Sequence, residues 1–262
     1  MVAPGCRGVR NACYARRMFT EQALPPALEL PSEVLPRLWR GRDLWAGVGI
    51  TIGAFVVLIA AVTLTSVGDD ELDPMVGAVA TLLFELMLGV AVLLLAMHRG
   101  LSRADLGFVR PRRWGPLATA WLGAYAILLS YQAAVFVLEA LGVPTGLLQE
   151  GNAVPLDADV APLVVVILGV AVVVGAPFGE ELMFRALLFR GMRGFWRLAL
   201  AMAASGLLFG LFHVNLSVLV PFTFVGALFA WAYEQSGSLW VTIAAHAGFN
   251  GASFIVTLLL LE

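Results

Sequence analysis

Polar residues divide this chain into long apolar runs joined by short charged connections. The runs at 44–66, 75–97, 117–141, 161–178, 198–214, 216–233 and 239–261 are about the 18–25 residues that an α-helix needs to cross a bilayer. The stretch 180–195 can form a further helix. The pattern therefore predicts an all-α polytopic membrane protein of about seven to eight transmembrane helices. Pro25, Pro26, Pro31 and Pro36 make the segment before the first run a poor helix. Its expected organisation is a tail at 1–43, N-terminal transmembrane helices at 44–104 and a C-terminal transmembrane domain at 105–262 that holds a polar pocket.

Composition points the same way. Hydrophobic residues make up 60% of the 262 and charged residues 13%, against roughly 45–50% and 25% in soluble domains. The formal net charge of −2 says less than how the charges are placed, and all sixteen basic residues are arginine. Arg37, Arg40 and Arg42 precede the first run, Arg99, Arg103, Arg110, Arg112 and Arg113 follow the second, and Arg190, Arg193 and Arg197 precede the fifth. The connections after the first and third runs carry Asp69, Asp70, Glu71, Asp73, Glu150, Asp157 and Asp159 and no arginine. The positive-inside rule then puts the N-terminus in the cytosol. Cys6 and Cys13, the only cysteines, offer neither a disulfide framework nor a zinc spacing. The tail lacks the apolar core of a secretory signal, and by composition Met18 would serve as a start as well as Met1.

Ionisable groups within spans are costly, about 2.5–3.5 kcal/mol each on insertion scales. Glu85, alone in mid-span, reads first as a packing group, and Tyr131 and Gln132 as interhelical hydrogen-bonding residues. The C-terminal half is different, because Glu180, Glu181, Arg185, His213, His246 and Asn250 all lie at or within apolar runs. Glu181 and Arg185 stand at i and i+4 with the acid first, the favourable order for a helical ion pair. That pairing leaves Glu180 unpaired. Phe209 and His213 are also i and i+4, which lets ring pack beside ring, and His246 and Asn250 share a helix face.

Counted from the arginine clusters, His213 lies ~24 Å, Asn250 ~18 Å and Glu180 ~20 Å along its helix. Gly175, Pro177 and Gly179 predict a broken helix just before Glu180, which is tolerated only against protein or a water-filled cavity. The expectation is a wet pocket open to the cytosol. A carboxylate and one imidazole can deprotonate water there, while the other imidazole and the amide hydrogen-bond an oxyanion. The chain has no His-Glu-x-x-His, no Gly-x-Gly-Asp and no rhomboid-type serine surround.

Glu180-Glu181-x-x-x-Arg185, Phe209-x-x-x-His213 and His246-x-x-x-Asn250 in this order resemble the motifs of the CAAX protease and bacteriocin-processing family, also called the Abi or type II CAAX prenyl endopeptidase family. Gly226, Tyr233 and Ser236-Gly237-Ser238-Leu239-Trp240 resemble its lead-in to the last histidine, and the resemblance covers roughly residues 105–250. It implies an integral membrane endopeptidase in a prokaryotic plasma membrane, acting on a peptide or a lipidated (prenylated) protein, with no nucleic-acid partner. It further implies that Glu180 and His213 activate the water, that His246 and Asn250 form the oxyanion hole, and that Glu181, Arg185 and Phe209 support them. The family is named for metalloproteases, and Glu180, His213 and His246 make a donor set that a catalytic zinc accepts. The same residues also work with a bare water, so the chemistry does not require zinc. Two rival readings are a non-catalytic immunity or scaffold protein and a proton-coupled transporter. The transporter expects inverted repeats and paired broken helices, which the sequence lacks.

Overall fold

The computed structural model describes residues 38–65, 73–149 and 160–260. The tail with Cys6, Cys13, Met18 and its prolines lies outside the described residues, as do Asp69, Asp70, Glu71, Glu150, Asp157 and Asp159 of the acidic connections. Among the described residues every regular element is helical. They are α1 (Gly41–Thr65), α2 (Pro74–His98), α3 (Gly115–Ala140), the single turn α4 (Gly146–Gln149), α5 (Pro162–Arg193), α6 (Leu198–Phe212), α7 (Leu216–Ser236) and α8 (Leu239–Leu260).

Six of these helices are long and apolar enough to cross a membrane. The predicted fifth span is shorter: α6 has 15 residues and reaches only ~22 Å. Its C-terminal end, which carries His213, therefore stops short of the far side of a ~30 Å hydrocarbon core.

The expected break before Glu180 is absent. Residues 162 to 193 form one continuous helix interrupted by two π-helical stretches, Ala171–Gly175 and Leu182–Phe189. Pro177 has no N–H to give to the helical ladder. The wider turn just before it takes up the mismatch, so the helix carries a π-distortion where a break was expected. Gly175 and Gly179, one turn apart, allow close packing. A Cβ on Gly175 would meet Glu85 Cβ at 3.4 Å, and one on Gly179 would clash with the Glu85 carbonyl oxygen. Small residues at such spacing let helix backbones approach in membranes, and here they bring α2 onto α5.

The arginine-rich connections gather at one end. Arg99 pairs with Asp43 at 3.0 Å and Arg193 with Glu234 at 3.0 Å. In the 101–114 connection, Arg112 N donates to Ser236 O at 2.8 Å, and Ser238 Oγ donates to Val109 O at 2.6 Å. The Ser236-Gly237-Ser238-Leu239-Trp240 segment is thus the clasped α7–α8 turn, with Gly237 at φ 66° closing α7 in the left-handed conformation. Asp105, held by Ser102 Oγ and N, has its carboxyl lowered below its ordinary value by those hydrogen bonds.

Helices α6 and α7 meet glycine to glycine. A Cβ on Gly226 would lie 2.7 Å from Phe209 Cβ and 2.9 Å from Gly206 Cα. Gly226→Ala should therefore lower stability by about 1–3 kcal/mol. Gly53→Ala in α1, with nothing within 4 Å, should be neutral or stabilising by up to about 1 kcal/mol. Thermal unfolding of the detergent-purified variants checks both; equal midpoints would refute the close approach.

Candidate active site

A cavity of about 550 Å³ is lined by Glu85 from α2, Gln132 from α3, Glu180 from α5, His213 at the end of α6, and His246 and Asn250 from α8. Its walls are mainly aromatic and aliphatic, with Phe55, Phe84, Phe212, Phe222 and Phe249 among them. The four residues with proposed chemical roles thus share one space. Glu180 is 4% exposed and its Oε2 makes no hydrogen bond with the described residues. A buried carboxyl oxygen without a protein partner is uncommon and costly, unless water or a second acid meets it.

Local backbone geometry explains how His213 is held. At the end of α6 the His213 N–H turns to Gly210 O at 3.4 Å, which frees the Phe209 carbonyl that a continuing α-helix would use. The His213 imidazole takes that carbonyl through Nδ1 at 2.9 Å. A carbonyl only accepts, so Nδ1 carries the hydrogen and the neutral ring keeps its lone pair on Nε2. Phe209 packs beside this ring at 5.0 Å between centroids, as the spacing predicts, and Phe222 packs at 4.4 Å. Val214, next in the turn, holds φ 48°, a conformation that β-branched residues rarely adopt.

Glu181 and Arg185 lie behind the cavity. Both side chains are completely buried, with Arg185 Nη1 3.0 Å from Glu181 Oε1. Nη1 is within ionic range but is not aligned for a hydrogen bond. The spacing anticipated this pair but not its third member: His246 Nδ1 also lies 3.0 Å from Glu181 Oε1. Glu181 therefore fixes the orientation of His246 and makes Nδ1 the donor. Arg185 Nη2 donates to Gly226 O at 3.3 Å, and its guanidinium sits 4.6 Å from the Phe209 ring centre and 5.3 Å from that of Phe229. These contacts explain Gly226 and Phe209 as parts of one charge-compensating cluster. Asn250 Nδ2 donates to Val172 O in the first π-stretch at 2.9 Å, which leaves its second N–H for another acceptor.

Two readings change. Glu85, taken as a packing group, is a second carboxyl in the cavity, 6% exposed, with Oε2 unpartnered among the described residues. Tyr131 Oη makes no hydrogen bond with the described residues, and Gln132 lines the cavity. Among the described residues no group of three His, Cys, Asp or Glu side chains is arranged to hold a metal ion. The two imidazoles commit their Nδ1 atoms to Phe209 O and to Glu181, on different helices.

The cavity also extends in an unexpected direction. From Glu180 and His246 its lining continues to Leu168, Val218, Ser253 and Thr257, towards the end without arginines. Towards the arginine-rich end, Leu182, Leu187, Phe189 and Leu239 are tightly buried. Depth counting located the polar groups but could not tell which side of them was filled.

Residues 162–252, which contain all three motifs, match the family described as type II CAAX prenyl endopeptidase Rce1-like. This segment is therefore an Rce1-like domain. Over 98 residues the chain is 33% identical to "Putative membrane peptidase YdiL" of Bacillus subtilis (strain 168), covering 37% of this chain and 39% of that protein. The chain thus spans well under half the length of this curated relative. No solved structure matches the chain.

The cluster behind the cavity makes a stability prediction. Arg185→Leu leaves Glu181 as a buried charge without its cation and should cost about 3–5 kcal/mol. The double replacement Glu181→Met with Arg185→Met should recover most of that loss. Unfolding midpoints of the three proteins in detergent decide the matter; a double variant no better than Arg185→Leu would show that charge compensation is not the cause.

Proposed function

We propose that this chain is an intramembrane endopeptidase in which Glu180 and His213 activate a water. The observation that carries this reading is the unpartnered, buried Glu180 oxygen in a cavity shared with two imidazoles and an amide. The Rce1-like match over the same residues supports it. Water attacks the peptide carbonyl carbon as Glu180 takes its proton, with the Nε2 lone pair of His213 hydrogen-bonding the same water. The oxyanion receives the second Asn250 N–H and His246 Nε2–H. Because His246 Nδ1–H is committed to Glu181, Nε2 donates only from the imidazolium, whose charge Glu181 balances. As the C–N bond breaks, the proton on Glu180 passes to the departing amine.

The arginine-rich end is proposed to face the cytosol of a prokaryotic plasma membrane. The cavity then reaches the outer half of the bilayer, so the substrate is an apolar or lipidated peptide segment presented from that side. A mouth on the cytosolic side, expected for soluble prenylated proteins, has little support from the buried residues there.

Two measurements test these proposals. Glu180→Gln and His213→Ala should each lower peptide cleavage by ~10²–10⁴-fold while the proteins stay folded in the membrane, with lipid-facing Leu200→Ala as the control. Full cleavage by either variant would refute the protease assignment. Thr257→Cys, in a protein with Cys6 and Cys13 replaced by Ser, should react with a membrane-impermeant maleimide in right-side-out vesicles. Arg103→Cys should react only in inverted ones. Reversal of either result overturns the outer-facing cavity.

A further inference from the structure

Glu85 is the ionisable residue of the cavity to which the water-activation scheme gives no part. It sits on α2, 6% exposed, with a carboxyl oxygen that no described residue hydrogen-bonds. Its position follows from backbone sterics. Gly179 lacks the Cβ that would run into the Glu85 carbonyl oxygen and push α2 away, while an added Cβ at Gly175 or at Gly89, one turn beyond Glu85, would make ordinary contacts, 3.4 Å from Glu85 Cβ and 3.6 Å from Gly179 Cα. Had residue 179 a side chain, Glu85 would sit farther from α5. Instead Glu85 Oε2 lies 3.3 Å from the site of a Gly179 Cβ, beside Glu180. Packing alone would be served as well by Leu or Met at this position.

Two carboxylates cannot both remain charged in one largely apolar cavity, and the recurrent solution is a pair that holds one proton. The other ionisable groups facing this space come from α5 (Glu180, with Glu181 and Arg185 behind it), the end of α6 (His213) and α8 (His246). From α1, α3 and α7 come uncharged groups such as Phe55, Gln132 and Phe222. Glu181 is already occupied by Arg185 and His246. That leaves Glu85 as the acid able to share with Glu180.

We propose that Glu85 and Glu180 hold a single proton between them, with Glu85 as the protonated positioning residue and Glu180 as the base. The Glu85 O–H donates to Glu180, directly or through the attacking water, and fixes which Glu180 oxygen faces that water. Glu85 keeps its proton throughout. The proton lost by water goes to Glu180 and leaves on the amine, so peptide and water give acid and amine with Glu85 unchanged.

This inference rests on the protease reading for its kinetics but not for its protonation state, and two measurements on the full-length protein in membranes separate them. By infrared spectroscopy at neutral pH, the wild type should show a protonated-carboxyl C=O band that Glu85→Gln removes and Glu180→Gln keeps. No band in the wild type, or a band persisting in Glu85→Gln, overturns the pair. In peptide cleavage, Glu85→Leu should lower kcat on the order of tenfold or more with little change in KM, less than the ~10²–10⁴-fold of a residue that transfers the proton itself. Glu85→Gln, whose amide still donates, should recover kcat relative to Glu85→Leu. It should also lose the alkaline limb of the wild-type pH profile, because the amide has no proton to lose. Wild-type kcat and pH profile in Glu85→Leu would mean packing only. Should Glu85→Leu not fold, Glu85→Gln and the infrared band decide. If the wild type cleaves nothing, the protease reading fails while the infrared result still decides the pair.

Discussion

One carboxylate oxygen, Glu181 Oε1, lies 3.0 Å from a buried guanidinium and 3.0 Å from a buried imidazole. Removing Arg185 from water is costly, and a single ion pair seldom offsets the whole penalty. The protein adds the Gly226 carbonyl and the faces of Phe209 and Phe229. These contacts come from α5, α6, α7 and α8, so satisfying one cation brings four helices together at one level. Residues that never reach the cavity, Gly226 above all, are constrained by this requirement. The cluster makes the arrangement of helices specific, whether or not it adds net stability.

The irregularity of α5 does similar work through the backbone. Carbonyls in its two π-stretches accept from side chains on other segments: Val172 O from Asn250, Phe184 O from Ser205 at 3.3 Å, and Ala186 O from Trp39 Nε1 at 2.7 Å. A π-turn disturbs the regular ladder and is often found at functional sites. Here the distorted turns flank Glu180 on both sides. The same helix therefore presents the proposed base, anchors one proposed oxyanion donor and ties down the entry to α1.

Much of this was legible in the sequence, and what escaped it has a common cause. Apolar run length located α1, α2, α3, α7 and α8, because hydrocarbon thickness fixes helix length, but the run at 198–214 forms a helix too short to cross and the run at 161–178 continues to Arg193. The i, i+4 relations of Glu181 with Arg185 and of Phe209 with His213 hold because they are local to a helix. Contacts between helices were not legible. Glu181 with His246 spans 65 residues, and Asn250 with Val172 spans 78. Gly175, Pro177 and Gly179 predict a break where the helix carries a π-distortion. Glycines permit a distortion, a break or a close approach, and only the position of α2 selects among them. Glu85 reads as a packing group for the same reason, since a lone carboxylate on one helix shows its neighbours only after packing.

The short helix α6 links the fold to the chemistry. A full-length span would carry its last turn to the far surface, where water satisfies the free carbonyls. Because α6 ends at Phe212, its last carbonyls fall short of that surface, and each needs a donor other than bulk water. His213 supplies one through Nδ1. That bond fixes its tautomer and keeps the Nε2 lone pair available. The need to satisfy a helix end that stops short of the surface is thus enough to orient this imidazole, whose Nε2 is left to accept a hydrogen bond within the cavity.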